Sequence, residues 1–321
     1  MPLGNRRHPF IVSRAMTDST PASGTPRPAR TLSRRPAAAA SLVFLLAACN
    51  PAGGTPGPSS GPSAGPSDQP TPTAVAGIEH PTGAKDVVLR FEEGGGFVPI
   101  DFIATQVPSF TLYGDGTVVF RDGQAPPPDA VGSVIRSVPF QTVKIDEEGI
   151  QALLEYALGP GGLGVAIGPY MSNAMDIPSQ TFTVNADGRT KQVTANGLSP
   201  DMYQPQDRLI ITALTGLADR LRMFGTGVAG EQVYQPAMYR GVLQKVDQAF
   251  GAVVDWPWTD VEPVDFVSGV NEFLSTRTLT PEQVAALNIP GMTGGMMGLY
   301  IRKDGNVFSL AVRPLLPDEK A

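Results

Sequence analysis

The sequence predicts an α+β domain: antiparallel sheet built from Asp-Gly hairpins, with amphipathic helices interspersed. Two observations carry this. Three pairs of β-prone runs are each broken by a turn on Asp-Gly, at Asp115-Gly116, Asp187-Gly188 and Asp304-Gly305. Between them, two stretches near 147–158 and 206–224 repeat apolar residues at three- and four-residue spacing. Hairpins separated by helices indicate antiparallel sheet rather than a parallel, doubly wound one.

In chain order, residues 1–48 read as a lipoprotein signal peptide, 49–80 as a lipidated cysteine with a disordered tether, and 81–321 as a single α+β extracytoplasmic domain. The leader carries seven arginines, and its apolar run from about Ala37 to Ala48 is shorter than the ~20 residues that span a bilayer. The run ends in Leu46-Ala47-Ala48-Cys49, which holds the only cysteine of the chain. This resembles the bacterial lipobox. The resemblance implies that Leu46, Ala47 and Ala48 are read by the signal peptidase and that Cys49 is acylated on sulfur and becomes the new N-terminus. Two or three acyl chains, at ~0.8 kcal/mol per methylene, then hold the protein on the membrane. Met16 is an alternative start, and Ser33-Arg34-Arg35 is similar to a twin-arginine signal, although Pro36-Ala37-Ala38 departs from it; ordinary Sec export is preferred.

Residues 50 to about 80 are dominated by Gly, Pro, Ser and Thr, so they have little to bury and read as a disordered tether. Gly61-Pro62-Ser63-Ala64-Gly65 fits the letters of a nucleophile elbow, but that turn needs a strand before it and a helix after it.

The folded part opens with a strand over 87–93. A hairpin over 110–121 turns at Gly114-Asp115-Gly116. A three-residue loop with Gly116 at positive φ pairs Tyr113 with Thr117 and puts Phe110, Leu112, Val118 and Phe120 on one face. A helix over 147–158 follows, with Asp146 as N-cap and Ile145 and Ile150 at the staple positions. Gly159-Pro160-Gly161-Gly162 stops it. A second hairpin turns at Asp187-Gly188, and a second helix runs over 206–224 with Ile210, Leu214, Leu217, Leu221 and Phe224 as its stripe. The order hairpin–helix–hairpin–helix suggests a duplicated unit. Residues 239–246 read as a strand and 255–266 as a rigid loop. Thr280-Pro281-Glu282-Gln283 forms a capping box opening a short helix. A last hairpin turns at Asp304-Gly305.

Composition narrows the chemistry. The first 49 residues hold seven basic residues and one acid, which leaves 17 basic against 29 acidic residues, near −12, for the rest. Such a body repels phosphate backbones, so nucleic acid is set aside. One cysteine permits no internal disulfide, and His80 is the one histidine beyond the leader. A Cys–His pair and a His- or Cys-rich zinc site are therefore excluded.

The blocks GGGFVPIDF, FTLYGDGTVVF and AVRPLLPDE resemble uncharacterised secreted or lipoprotein families of high-GC bacteria. The resemblance implies a shared fold and adds no mechanism.

No catalytic residue, cofactor or metal is assigned. The candidate ligand or Ca²⁺ site is Asp255, Asp260, Glu262 and Asp265 with Trp256 and Trp258: carboxylates could hold a cation and exposed indoles could stack on a sugar. Against it stands burial of the tryptophans with the acids simply solvated. Glu92 and Glu93 could supply an acid or base, given a second carboxyl across a cleft. Glu147 and Glu148 suit a helix N-terminus. Met292, Met296 and Met297 read as a mobile loop or core filler rather than a Cu(I) site, and His80 as solvated. Gly159-Pro160-Gly161-Gly162-Leu163-Gly164 matches G-x-G-x-x-G but ends a helix instead of opening one. The expected function is therefore a non-catalytic binding module, lipid-anchored on the extracytoplasmic face of the membrane, with an envelope protein or glycan as partner. The alternative is a carboxylate-based envelope hydrolase acting on glycans. A structural spacer is a third reading, which an exposed apolar patch would argue against.

Overall fold

A computed structural model describes residues 77–226, 228–268 and 274–320, Asp101 by its backbone alone. The expected signal peptide, the lipobox-like Leu46–Cys49 and the expected tether up to residue 76 lie outside the described residues. Among those described, no helix is long and apolar enough to cross a membrane.

The strands and α-helices run in the order β1 (Val87–Gly94), α1 (Ile100–Ala104), β2 (Phe110–Tyr113), β3 (Thr117–Arg121), β4 (Ile135–Arg136), β5 (Phe140–Lys144), α2 (Glu147–Leu158), β6 (Ser179–Ala186), β7 (Arg189–Asn196), α3 (Arg208–Arg222), β8 (Gln232–Val233), β9 (Tyr239–Val246), β10 (Val253–Asp255), β11 (Val267–Ser268), β12 (Ser275–Leu279), α4 (Pro281–Ala285), β13 (Met296–Lys303) and β14 (Asn306–Pro314). The domain is thus β-rich α+β. Its strands form two seven-stranded sheets rather than one. The first has the order β7-β6-β1-β2-β3-β5-β8, and the second β10-β13-β14-β9-β12-β11, with β4 also paired to β13. All pairings between strands are antiparallel except β10 with β13, which is parallel. Turns containing Asp-Gly join only β2 to β3, β6 to β7 and β13 to β14; the other eight strands reach their partners by longer routes. β1 lies between β2 and β6 and joins the first two hairpins into one sheet.

Local chemistry explains why the first sheet forms where it does. At the β2–β3 turn Gly116 takes φ +85°, and Phe110, Thr111 and Leu112 sit opposite Phe120, Val119 and Val118. A Cβ on Gly116 would collide with the Ile145 carbonyl, whose own amide donates to Gly116 O at 2.9 Å. The turn therefore seats β5 as well as reversing the chain. In α2, the Asp146 side chain accepts from Gly149 N, and Glu147 and Glu148 occupy the first turn. The helix buries Ile150, Leu153, Leu154 and Ala157. α3 buries Ile211, Leu214, Leu217, Ala218 and Leu221; Ile211, not Ile210, is the fully buried member, which turns the stripe slightly from the sequence reading. Both helices cover one face of the first sheet. There Phe91 stacks on Phe182 at 4.9 Å, and Phe224 meets Phe110 and Phe120 edge-on.

The opposite face of β2, β3 and β5 is also buried. Tyr113, Val119 and Phe140 pack there with Val107 and Leu316 from the C-terminal segment. The second sheet has its own core, including Trp258, Phe266, Leu279, Ile301 and Leu310. The chain after β14 then crosses back to the first sheet, and this crossing positions the polar groups described next.

Candidate functional site

The hairpin end of β6 and β7 is flanked by two clefts. Asp187 and Gly188 both have positive φ, +50° and +67°, and Ala186 sits opposite Arg189. This is a two-residue turn of the mirror-image type, which matches the right-handed twist of the strands. The tip is tied to the start of the domain: Asp187 N–H donates to Glu79 O at 2.8 Å, and Asn185 Nδ2 donates to Val87 O at 2.6 Å. A cleft of about 590 Å³ opens on one side, lined by His80, Lys85, Asp86, Asn185, Arg189 and Asp318 among others. A second, of about 700 Å³, is lined by Leu158, Gly164, Val184, Ala186, Arg189 and Lys191 among others. Arg189 belongs to both.

His80 is not solvated as its position in the sequence suggested. Its side chain is only 5% exposed, with Nδ1 2.7 Å from Pro81 O and Nε2 3.1 Å from Glu147 Oε1. Glu147 in turn accepts from Gln151 Nε2 at 2.7 Å. These two hydrogen bonds, Gln151 first, hold the Glu147 carboxyl below its usual range.

A polar face continues from the first cleft across β1, β6 and β7. Register puts Arg90 beside Thr183 and Glu92 beside Thr181, with Gln192 and Thr194 next across. Thr181 and Thr194 share a hydrogen bond at 3.0 Å. Arg90 is the hub. Its Nη2 donates to Asp318 Oδ1 at 2.7 Å, and the Tyr113 hydroxyl donates to the same oxygen at 2.7 Å. Burial would lower the Arg90 pKa, but the Asp318 carboxylate outweighs it and raises it. Burial, then Asp318, pushes the Tyr113 hydroxyl far above its ordinary value. Glu92 also titrates high: burial raises it, Arg90 opposes, and Asp318 and Glu319 add to the rise. A smaller cleft of about 310 Å³ lies beside Glu92, Glu93, Gln106 and Thr181.

Glu92 and Glu93 do not act as a pair. Glu93 is held by Arg222, whose Nε and Nη2 both donate to it, and Ser109 Oγ donates to it at 3.4 Å.

The candidate acid–tryptophan loop is brought together in sequence but not in chemistry. Asp255 pairs with Arg302 at 3.0 Å and Glu262 with Lys303 at 3.0 Å. Asp265 pairs with Arg277 at 3.1 Å and accepts from Glu262 N at 2.8 Å. Asp260 accepts from Gln283 Nε2 at 2.9 Å. Each carboxylate thus has its own partner, and among the described residues no group of three His, Cys, Asp or Glu is placed to hold a metal. Trp258 is 4% exposed and Trp256 half-buried, so neither offers an open ring face for a sugar. They pack edge-on at 5.0 Å, and their indole N–H groups donate to Val261 O and Gln283 O, both at 2.7 Å. The loop is a corner of the second core, closed by a short 3-10 turn at Pro263–Asp265.

Met292 and Met296 are buried in that core, while Met297 packs in a separate cluster with Val242 and Leu274. The glycine run after α2 turns back onto α3, with Gly162 at φ +83° against Ile210 and Ala213, and Leu163 fully buried.

The groups that sequence reasoning missed are Arg90, Tyr113 and Asp318. Nothing local marks them, since Asp318 lies 228 residues from Arg90. The chain matches no family model, no curated protein and no solved structure.

Proposed function

We propose that the chain is an exported, lipid-anchored bacterial lipoprotein whose folded part is a non-catalytic binding module of the cell envelope. The Leu46-Ala47-Ala48-Cys49 sequence after an Arg-bearing leader supports the anchor. The composition of residues 50–76, rich in Pro, Gly, Ser and Thr, supports a stalk that sets the domain off the membrane. One observation supports binding over hydrolysis. Glycoside cleavage needs two carboxyls poised across one cleft with separated pKa values. Glu92 titrates high, but the carboxyls around it are committed: Asp318 to Arg90 and Tyr113, Glu319 to Arg313, Glu93 to Arg222. Open clefts at the hairpin tip suit recognition. Against a plain spacer, Phe97 and Met175 are 92% and 85% exposed on neighbouring loops joined by Phe97 N–H donating to Asp176 O.

The test is to label cells expressing the tagged chain with radioactive palmitate, then recover it from the envelope and identify what stays bound. The reading expects label on the wild type and none on Cys49→Ser, with an enriched envelope protein or glycan. An unlabelled wild type would sink the anchor. Turnover of wall glycan that Glu92→Gln abolishes would replace the binding module with the hydrolase.

A further inference from the structure

We propose that the outer edge of β7, from Arg189 to Val193, binds an extended polypeptide segment bearing acidic residues, which joins the first sheet as a further strand. This deepens the binding-module reading and rests on it.

The turn chemistry fixes the geometry. In a two-residue hairpin the residues flanking the turn, here Ala186 and Arg189, exchange both backbone hydrogen bonds. Lys191, Val193 and Ala195 then also aim their backbone groups at β6. Thr190, Gln192, Thr194 and Asn196 aim theirs outward. The far half of this edge is already taken: Tyr170 N–H donates to Thr194 O at 2.8 Å, and Asn196 N–H donates to Tyr170 O at 2.9 Å. Among the described residues, no backbone group answers Thr190 or Gln192. Both residues are exposed. Two N–H donors and two C=O acceptors therefore stand in a row, spaced as a strand requires, just beyond a bridge that shows the edge accepts a partner.

Sheets usually blunt such an edge with proline, a bulge or charge. β7 has no proline, and its register with β6 runs unbroken through eight pairs. It does carry charge: Arg189 and Lys191, with no acid, in a body that is otherwise strongly acidic. Those two cations choose the occupant. A second copy of this chain, paired edge to edge across Lys191, would set like charges opposite each other. A strand with acidic side chains on that face would meet complementary ones. The 700 Å³ cleft lies on the same side, where Leu158, Val184 and Ala186 leave room for an apolar side chain. This is strand addition: backbone bonds supply affinity, and the pocket and cations supply selectivity.

The experiment uses the full-length chain in detergent and an end-capped eight-residue peptide of alternating valine and glutamate. Binding should slow amide exchange at Thr190 and Gln192 at least tenfold at saturation. N-methylation of alternate peptide amides should weaken binding at least tenfold when it blocks the β7-facing set, and little when it blocks the other. The valine–lysine counterpart should bind at least tenfold more weakly, with the preference reversed in Arg189→Glu/Lys191→Glu. Absence of binding, binding with those amides still unprotected, or indifference to N-methylation would overturn the proposal. Protection without peptide, together with dimer in sedimentation, would assign the edge to a second copy instead. An enriched partner in the envelope pull-down beside a negative peptide result would leave the binding module standing and remove only this edge.

Discussion

Replacing Asp318 by alanine removes one oxygen that serves two donors on a different part of the fold. Arg90 Nη2 and Tyr113 Oη each lie 2.7 Å from Asp318 Oδ1, and the arginine and aspartate side chains are 17% and 18% exposed. Tyr113 itself is fully buried. After the change Arg90 keeps only a long bond from Nε to Thr111 Oγ1, at 3.3 Å, and the phenol has no acceptor. Breaking a fully buried ion pair from one side costs about 3–5 kcal/mol, and one hydrogen bond to a charged group about 1.5–3 kcal/mol. Partial exposure lets water reach the guanidinium, so the lower part of the first range applies, about 3 kcal/mol. Asp318→Asn retains an acceptor and should cost about half as much.

Urea denaturation of the full-length chain measures this. With a slope of ~3 kcal/mol per M, 3 kcal/mol moves the midpoint by about 1 M at unchanged slope. Asp255→Ala is the control: its pair with Arg302 is 86% and 56% exposed, and such pairs contribute about 0–1 kcal/mol. If Asp318→Ala shifts the midpoint no more than Asp255→Ala, the C-terminal segment is not the clamp between the sheets and the reasoning fails.

Three further outcomes follow from the same structure. Glu92 has a folded pKa above its unfolded one because of burial, so its contribution to stability is present at acid pH and is lost as pH rises through the folded value; Glu92→Gln should therefore melt higher than wild type at pH 7.5, the gap closing near pH 4, and an equal gap at both would refute the assignment. Arg121 lies over the Phe140 ring at 4.3 Å with Nε unpartnered, and burial pulls it down to about 10; its charge is thus a penalty throughout neutral pH, relieved only as pH rises above about 10, and Arg121→Met should leave the melting temperature at pH 7 unchanged or raise it, whereas a fall of several degrees would show the guanidinium to be stabilising. Gly116→Ala places a Cβ against the Ile145 carbonyl at a positive φ and should cost about 1–3 kcal/mol, read by thermal denaturation; a neutral result would mean that the β2–β3 turn is not pinned to β5.

How much of this was legible depends on sequence separation. Asp146, Gly149 and the apolar spacing of 150–157 are local, and the helix they specify runs over the very residues expected, Glu147–Leu158. The Thr280–Gln283 capping box is local in the same way and forms with both reciprocal bonds. The split into two sheets was not legible, because it depends on which hairpin edges meet, and strand runs do not state their partners. The acid–tryptophan loop misled for a related reason. Four acids in eleven residues look like a site when only their neighbours in sequence are counted; Arg302, Lys303 and Arg277 arrive from elsewhere to pair with three of them, and Gln283 donates a hydrogen bond to the fourth. His80 was misread because its partner Glu147 is 67 residues away.

The β7 edge lies between these cases. Once Asp187-Gly188 is a two-residue turn, the residues that face away from β6 are determined, since alternation leaves no freedom. What no local signal supplies is that β7 ends the sheet. That is set by Tyr170, which docks beside Thr194 and Asn196 and stops, leaving the first two outward residues uncovered. A short loop that covers only half an edge either guards it against non-specific pairing or sets the length of strand that can be added. The two roles separate in Tyr170→Pro. Proline at 170 removes the N–H that bonds Thr194 O. If Tyr170 is a guard, the variant should self-associate. If it sets the length of the added strand, the variant should bind a longer acidic peptide more tightly while staying monomeric, because the cations at Arg189 and Lys191 still oppose self-pairing.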